Sequence, residues 1–219
     1  MSQQDQNDNS DKITRVSAIL SLNRGLLGEV APSLRAAKIK WDDEMIYLYF
    51  YYDGEISEED RESAECVATE VIADFSDYNK LDVNIIRWDY PQTIPMIGET
   101  VYLRRDIAIK ELSLPQQDQN DNSDKITWAS AILSLNRRLW GEVGPTLRAA
   151  KIEWDDEMIH LYFYYDGEIS EEDWESAECV ATEVISDFPN HKLDVNITRW
   201  DYPQPIPSIG KTVYLRREA

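Results

Sequence analysis

Histidine and cysteine each occur only twice in 219 residues, glycine is sparse, and no apolar run is long enough to span a bilayer. So few histidines and cysteines leave no cluster with metal-ligand spacing, and neither a metal nor a cofactor is expected. A glycine-rich phosphate loop and a Gly-x-Ser-x-Gly nucleophile elbow are also missing. Basic residues are the minority, 22 against 42 acidic, giving a net charge of −20. That excess repels phosphate backbones and anionic lipid, so neither nucleic acid nor membrane is an expected partner. It favours a basic partner or plain solubility. The first eleven residues lack the basic and apolar blocks of a secretory leader, and a cytoplasmic setting is the expectation.

What the chain does contain is one unit written twice. Residues 3–77 realign with 116–190 without a gap, one residue drops out near Tyr78, and 80–106 realign with 192–218. Only 18 of the 103 aligned pairs differ, and each half carries a net charge of −10. Any residue essential to a function shared by the halves should therefore appear in both. The position matching His160 is Tyr47, and His191 falls at the deletion, so shared histidine acid–base chemistry is excluded and no enzyme is expected. Cys66 and Cys179 are equivalent. One thiol per repeat cannot close a disulfide within a domain, which fits a reducing cytosol.

The expected organisation is a flexible segment over 1–10, repeat 1 over 11–106, a linker over 107–123 and repeat 2 over 124–219. Within each repeat the pattern predicts an α+β fold of order αββαββ, a mostly antiparallel sheet with two helices packed on it. Ser10 or Asp11 is placed to cap a first helix presenting Ile13, Val16 and Leu20. Residues 33–41 and 45–52 read as a hairpin turning at Asp42-Asp43-Glu44. Ser57 caps the clearest helix, with Glu58, Glu59 and Asp60 in its first turn and an apolar face of Ala64, Val67, Ala68, Val71, Ile72 and Phe75. Strands follow over 81–88 and 99–105.

Two surfaces qualify as candidate sites. Glu55, Glu58, Glu59, Glu62 and Glu70, with their copies Glu168, Glu171, Glu172, Glu175 and Glu183, form an acidic ridge. It either occupies a cationic cleft on a partner or merely compensates the helix dipole. In the second hairpin strand Ile46, Leu48, Phe50 and Tyr52 point one way, and Tyr47, Tyr49 and Tyr51 the other. With both helices on one side, this tyrosine stripe, which recurs in Tyr162 and Tyr164, either meets a partner or packs against the other repeat. Copy two also gains Trp128, Trp140 and Trp174. An exposed tryptophan suggests a contact between domains or with a partner, and Trp128 and Trp174 join the candidate list on that ground.

The segments 130–136, 161–168, 170–173 and 199–203, repeated upstream between Ser17 and Pro91, resemble the small acidic immunity proteins of bacterial polymorphic toxin systems, contact-dependent growth inhibition among them. The resemblance lies in size, acidity and element order. It implies a non-enzymatic inhibitor that binds one cognate toxin domain and blocks its active site or a nearby surface, and the acidic and tyrosine-bearing surfaces point to a basic domain of nuclease type. A different expectation is a structural module, in which the two copies form a covalent pseudo-dimer through their sheet or helix surfaces or assemble into a homo-oligomer.

Overall fold

The computed structural model describes residues 13–75, 78, 80–105 and 126–218. The expected N-terminal segment, the linker and the Ser10 or Asp11 cap lie outside them. Repeat 1 runs α1 (Arg15–Gly25), β1 (Leu34–Trp41), β2 (Ile46–Tyr52), α2 (Glu58–Asp74), β3 (Leu81–Arg87) and β4 (Glu99–Leu103). Repeat 2 follows as α3 (Trp128–Arg138), β5 (Leu147–Trp154), β6 (Met158–Tyr165), α4 (Glu171–Asp187), β7 (Lys192–Arg199) and β8 (Lys211–Leu215). The α+β class and the element order are those the sequence predicts.

Each repeat holds one four-stranded sheet, ordered β3-β2-β1-β4 and β7-β6-β5-β8. β1 is antiparallel to β2 and β4, while β3 is parallel to β2. The parallel pair requires a crossover, and α2 supplies it. The hairpin turns where expected. The Asp42 carboxylate accepts the Glu44 amide at 2.9 Å and the Met45 amide at 3.0 Å, closing the turn from within. Ser57 caps α2 and shares a reciprocal box with Asp60, and Ser170 does the same with Asp173.

The strand alternation holds. Ile46, Leu48, Phe50 and Tyr52 enter the main core under the helices, and Tyr51 joins a separate small cluster on the opposite face. Val67, Ala68 and Val71 of α2 meet that core, as the helical spacing predicts.

Of the face expected for the first helix, Ile13 is buried and Leu20 packs on the core, but Val16 is not covered. Thr14 is the helix's cap, boxed with Ser17, and Val16 is 44% exposed while Ala18, Ile19 and Leu22 are buried. Burial also takes in Ser21, Asn23 and Gly25. The cause is that α1 packs against α2 on one side and α3 on another. A single-stripe reading does not suit a helix buried on two sides. Leu48→Ala should therefore cost about 2–5 kcal/mol through the cavity it leaves, whereas Val16→Ala should change stability by no more than about 0.5 kcal/mol. Urea denaturation of the two variants checks both, and a large loss at Val16 would contradict this placement of α1.

Candidate binding surfaces and the seam between the repeats

The two repeats face each other across a seam built from α1, α3 and the ends of β4 and β8. Beyond β4 the chain runs on to Arg105, whose amide donates to Val143 O at 3.1 Å. Arg217 likewise donates to Val30 O at 2.9 Å. The Gly141 amide reaches Leu103 O and the Gly28 amide reaches Leu215 O. Asn136 and Asn23, both buried, donate through their side chains to Val101 O and Val213 O, each at 3.0 Å. Tyr102 stacks on Tyr214 at the centre, with ring centroids 6.3 Å apart.

A hydrogen-bonded ion pair in the seam joins the last arginine of each repeat's described chain to the long helix of the other, α2 or α4. Arg217 meets Asp60 at 2.9 Å and Ser63 at 3.0 Å, and Arg105 meets Asp173 at 3.0 Å and Ser176 at 2.8 Å. The aspartates are almost fully buried. Asp60 also accepts from the Ser57 amide and hydroxyl and from Ser33, and Asp173 from the Ser170 amide and hydroxyl and from Thr146. Burial pushes the pKa of Asp60 up, but the Ser57 donors and the Arg217 guanidinium outweigh it and hold the carboxyl below its ordinary value. Asp173 behaves the same way through Ser170, Arg105 and Thr146. Sequence reasoning placed Asp60 among the surface carboxylates of a helix N-terminus. Its position three residues after Ser57, closing a Ser-x-x-Asp capping box, is the available sign that its side chain turns inward.

The tyrosine stripe lies beside this seam, and Tyr51 belongs to a cluster on which Trp140 of repeat 2 packs. Its residues sit on the outer sheet faces, and the tyrosines that join the repeats are Tyr102 and Tyr214. The stripe is only partly open. Tyr51 and Tyr164 are buried, because the chain after β3 and β7 folds over one end of each outer face. There Trp88 packs edge-on to Tyr51 and Trp200 to Tyr164, each at 6.1 Å. Arg35 anchors this flap by donating to Trp88 O and Gln92 O. Tyr47, Tyr49 and Tyr162 lie at the open end and are half-buried. His160 replaces Tyr47 in repeat 2, stacks on Tyr162 and pairs with Asp194 at 3.0 Å.

The acidic ridge falls on α2 in one repeat and α4 in the other, with Glu55 and Glu168 in the chain just before each helix. Glu55, Glu58, Glu59, Glu62 and Glu70 are exposed, as are Glu168, Glu171, Glu172 and Glu175. Three members make ion pairs. Glu59 lies 3.7 Å from Arg217, Glu172 lies 3.4 Å from Arg105, and Glu183 is half-buried and paired with Arg138 at 3.1 Å. Arg138 stands where repeat 1 has Gly25, so this last pair is peculiar to repeat 2. The other ridge carboxylates make no ion pair among the described residues.

Of the tryptophans gained by copy two, Trp128 and Trp174 remain 51% and 44% exposed, so the other repeat does not cover them. Trp140 is the one placed in the seam. Its indole donates to Val101 O at 3.2 Å and packs on the cluster of Ala36, Tyr51 and Leu103 in repeat 1. Cys66 and Cys179 are exposed, and burial and nearby carboxylates push both thiols up, away from reactivity. No helix among the described residues is long and apolar enough to cross a membrane.

A family model for the MafI2 immunity protein matches the sequence twice, over residues 15–106 and again over 129–218. No curated protein matches. Among solved structures, that of Era in complex with MgGDPNP and nucleotides 1506–1542 of 16S ribosomal RNA aligns with a TM-score of 0.28 and 11% identity, over 85% of this chain and 90% of that one. At that score it carries no argument about either fold or function.

The buried pairs give the protein an acid limb of stability. Because the folded pKa of Asp60 and Asp173 lies below the unfolded value, their contribution is complete above the ordinary aspartate pKa of about 3.9. It is lost as pH falls through the depressed folded values. Arg217→Ala should cost about 3–5 kcal/mol near neutral pH by stranding Asp60, and should flatten the acid limb. Urea midpoints between pH 3 and 7 measure both effects, and an unchanged acid limb would remove Asp60 from this role.

Proposed function

The chain belongs to the MafI2 immunity protein family, and from that premise we propose that it inhibits a basic toxin domain, of nuclease type, by covering that domain's cationic cleft with the outward faces of α2 and α4. Immunity proteins act by binding a toxin, and the charge of this chain sets the sign of the partner. The observation that carries the reading is the run of exposed carboxylates along α2 and α4, Glu58 and Glu62 with Glu171 and Glu175 foremost. These faces remain open after the repeats have paired. Carboxylates arrayed on a rigid helix steer a basic partner and accelerate encounter.

Trp174 adds an aromatic anchor. It projects from the same face between Glu171 and Glu178, one helical turn to either side. A large ring bordered by carboxylates suits the stem and head of a partner's arginine or lysine. The half-buried Tyr49 and Tyr162 offer a second area of contact on the outer sheet faces. Inhibition by occupation needs no chemistry from the inhibitor, so the protein acts as a binder and not as an enzyme. The encounter takes place in the cytoplasm, where an unpaired thiol per repeat stays reduced.

The test is titration calorimetry against the cognate toxin domain. Joint Glu58→Lys, Glu62→Lys, Glu171→Lys and Glu175→Lys should weaken binding at least a hundredfold, and wild-type affinity should fall between 50 and 300 mM salt. Trp174→Ala alone should cost about 2 kcal/mol of affinity if it is an anchor. Full affinity in the fourfold variant would sink the helix-face reading and leave the outer sheet face as the contact.

A further inference from the structure

The seam is isologous. Asn23, Val30, Tyr102 and Arg105 recur as Asn136, Val143, Tyr214 and Arg217, and each contact made by one set is returned by the other. The two hydrogen-bonded arginine–aspartate pairs agree to 0.1 Å. Such reciprocity is what two copies of one unit produce about a twofold axis.

The substitutions that touch the seam leave this equivalence intact. Trp140 packs on Ala36 and Leu103 of repeat 1, and repeat 2 carries the same side chains at Ala149 and Leu215. Gly144 leaves room that a Cβ would deny, since an added Cβ would press on the guanidinium of Arg105. Repeat 1 nevertheless carries that Cβ as Ala31 and still seats Arg217 on Asp60 at 2.9 Å. The surface is thus complementary to itself as well as to its neighbour.

We infer that the seam is a self-pairing surface whose fitting partner is a second copy of the same unit, so that repeat 1 pairs with repeat 1, and repeat 2 with repeat 2, once the tether no longer dictates the choice. Within one chain, residues 106–125 keep the halves at a high effective concentration, and the mixed pair prevails. A separate chain carrying this unit presents the same residues to either half. The inference is independent of how the toxin is bound.

The full chain with a specific protease site inserted in 107–115 provides the test. The folded protein is cut, taken through urea, refolded and weighed by native mass spectrometry, where the unequal halves distinguish every pairing. Like pairs of each repeat should appear beside the mixed pair, in proportions approaching the statistical ratio. Lone repeats, aggregates, or the mixed pair by itself would overturn the inference. Arg217→Glu in the same cut chain affects both arginine contacts of a repeat 2 pair, one in the mixed pair and none in a repeat 1 pair. The distribution should therefore shift toward repeat 1 pairs, and an unshifted distribution also counts against the proposal.

Discussion

Each repeat buries an aspartate that only the other repeat can neutralise, and the arrangement of the molecule follows from that exchange. Asp60 and Asp173 have almost no contact with solvent, and a buried carboxylate without a cation is costly. The capping box and one hydroxyl from Ser33 or Thr146 satisfy part of each carboxylate. The remaining valence is met by Arg217 or Arg105, which arrives at the end of the partner's last strand. The N-terminus of each long helix is therefore completed by the neighbour. That explains why α2 and α4 begin at the same residue, with the same box, in both copies.

The exchange also determines what remains free. Pairing along 141–143 and 28–30 covers the outer edges of β4 and β8, so strand edges that would invite aggregation are closed by the other repeat. The flaps after β3 and β7 cover half of each outer sheet face. Left open are the outward faces of α2 and α4 and the exposed ends of the tyrosine stripes. Glu59 and Glu172 sit at the junction of these zones, each close to the arginine that closes the seam and each on the proposed binding face. A cationic partner at that point would compete for carboxylates that already have a neighbour. Glu58, Glu62, Glu171 and Glu175 carry no such competition among the described residues.

Much of this was legible in the sequence, for identifiable reasons. The hairpin turn at Asp42, the Ser57 cap and the Val67–Val71 face are local devices, closed by residues within one turn of one another. The strand alternation around Leu48 is equally local, since it depends only on the pleat. What the sequence could not supply were features owed to contacts far apart in the chain. Val16 reads as a core position by spacing alone, but α3 claims a second flank of α1 and rotates the buried arc away from it. Tyr51 has the alternation of an exposed residue, and the flap that buries it begins at Trp88 in a different part of the chain. Asp60 has the spacing of a surface acid, and the arginine that draws it inward lies in the other repeat.

The pattern of differences between the copies follows the same physical division. Seam residues such as Asn23, Tyr102, Arg105 and Asp60 are unchanged in repeat 2, whereas Arg61, Lys40 and Tyr47 on the outer faces have become Trp174, Glu153 and His160. Arg15 and Glu99 form a surface ion pair at 3.0 Å in repeat 1, and both are replaced, by Trp128 and Lys211. Exposed pairs of this kind contribute little to stability, so their loss is tolerated. Asn23, Arg105 and Asp60 have no such latitude, because altering one strands a buried polar group in the other half, whereas the apolar seam positions Leu27 and Ala31 do differ, as Trp140 and Gly144. The outer faces are thus the places where side chains can change without loosening the fold. The buried polar contacts that hold the halves together are kept apart from the exposed positions at which most of the charge and aromatic differences fall.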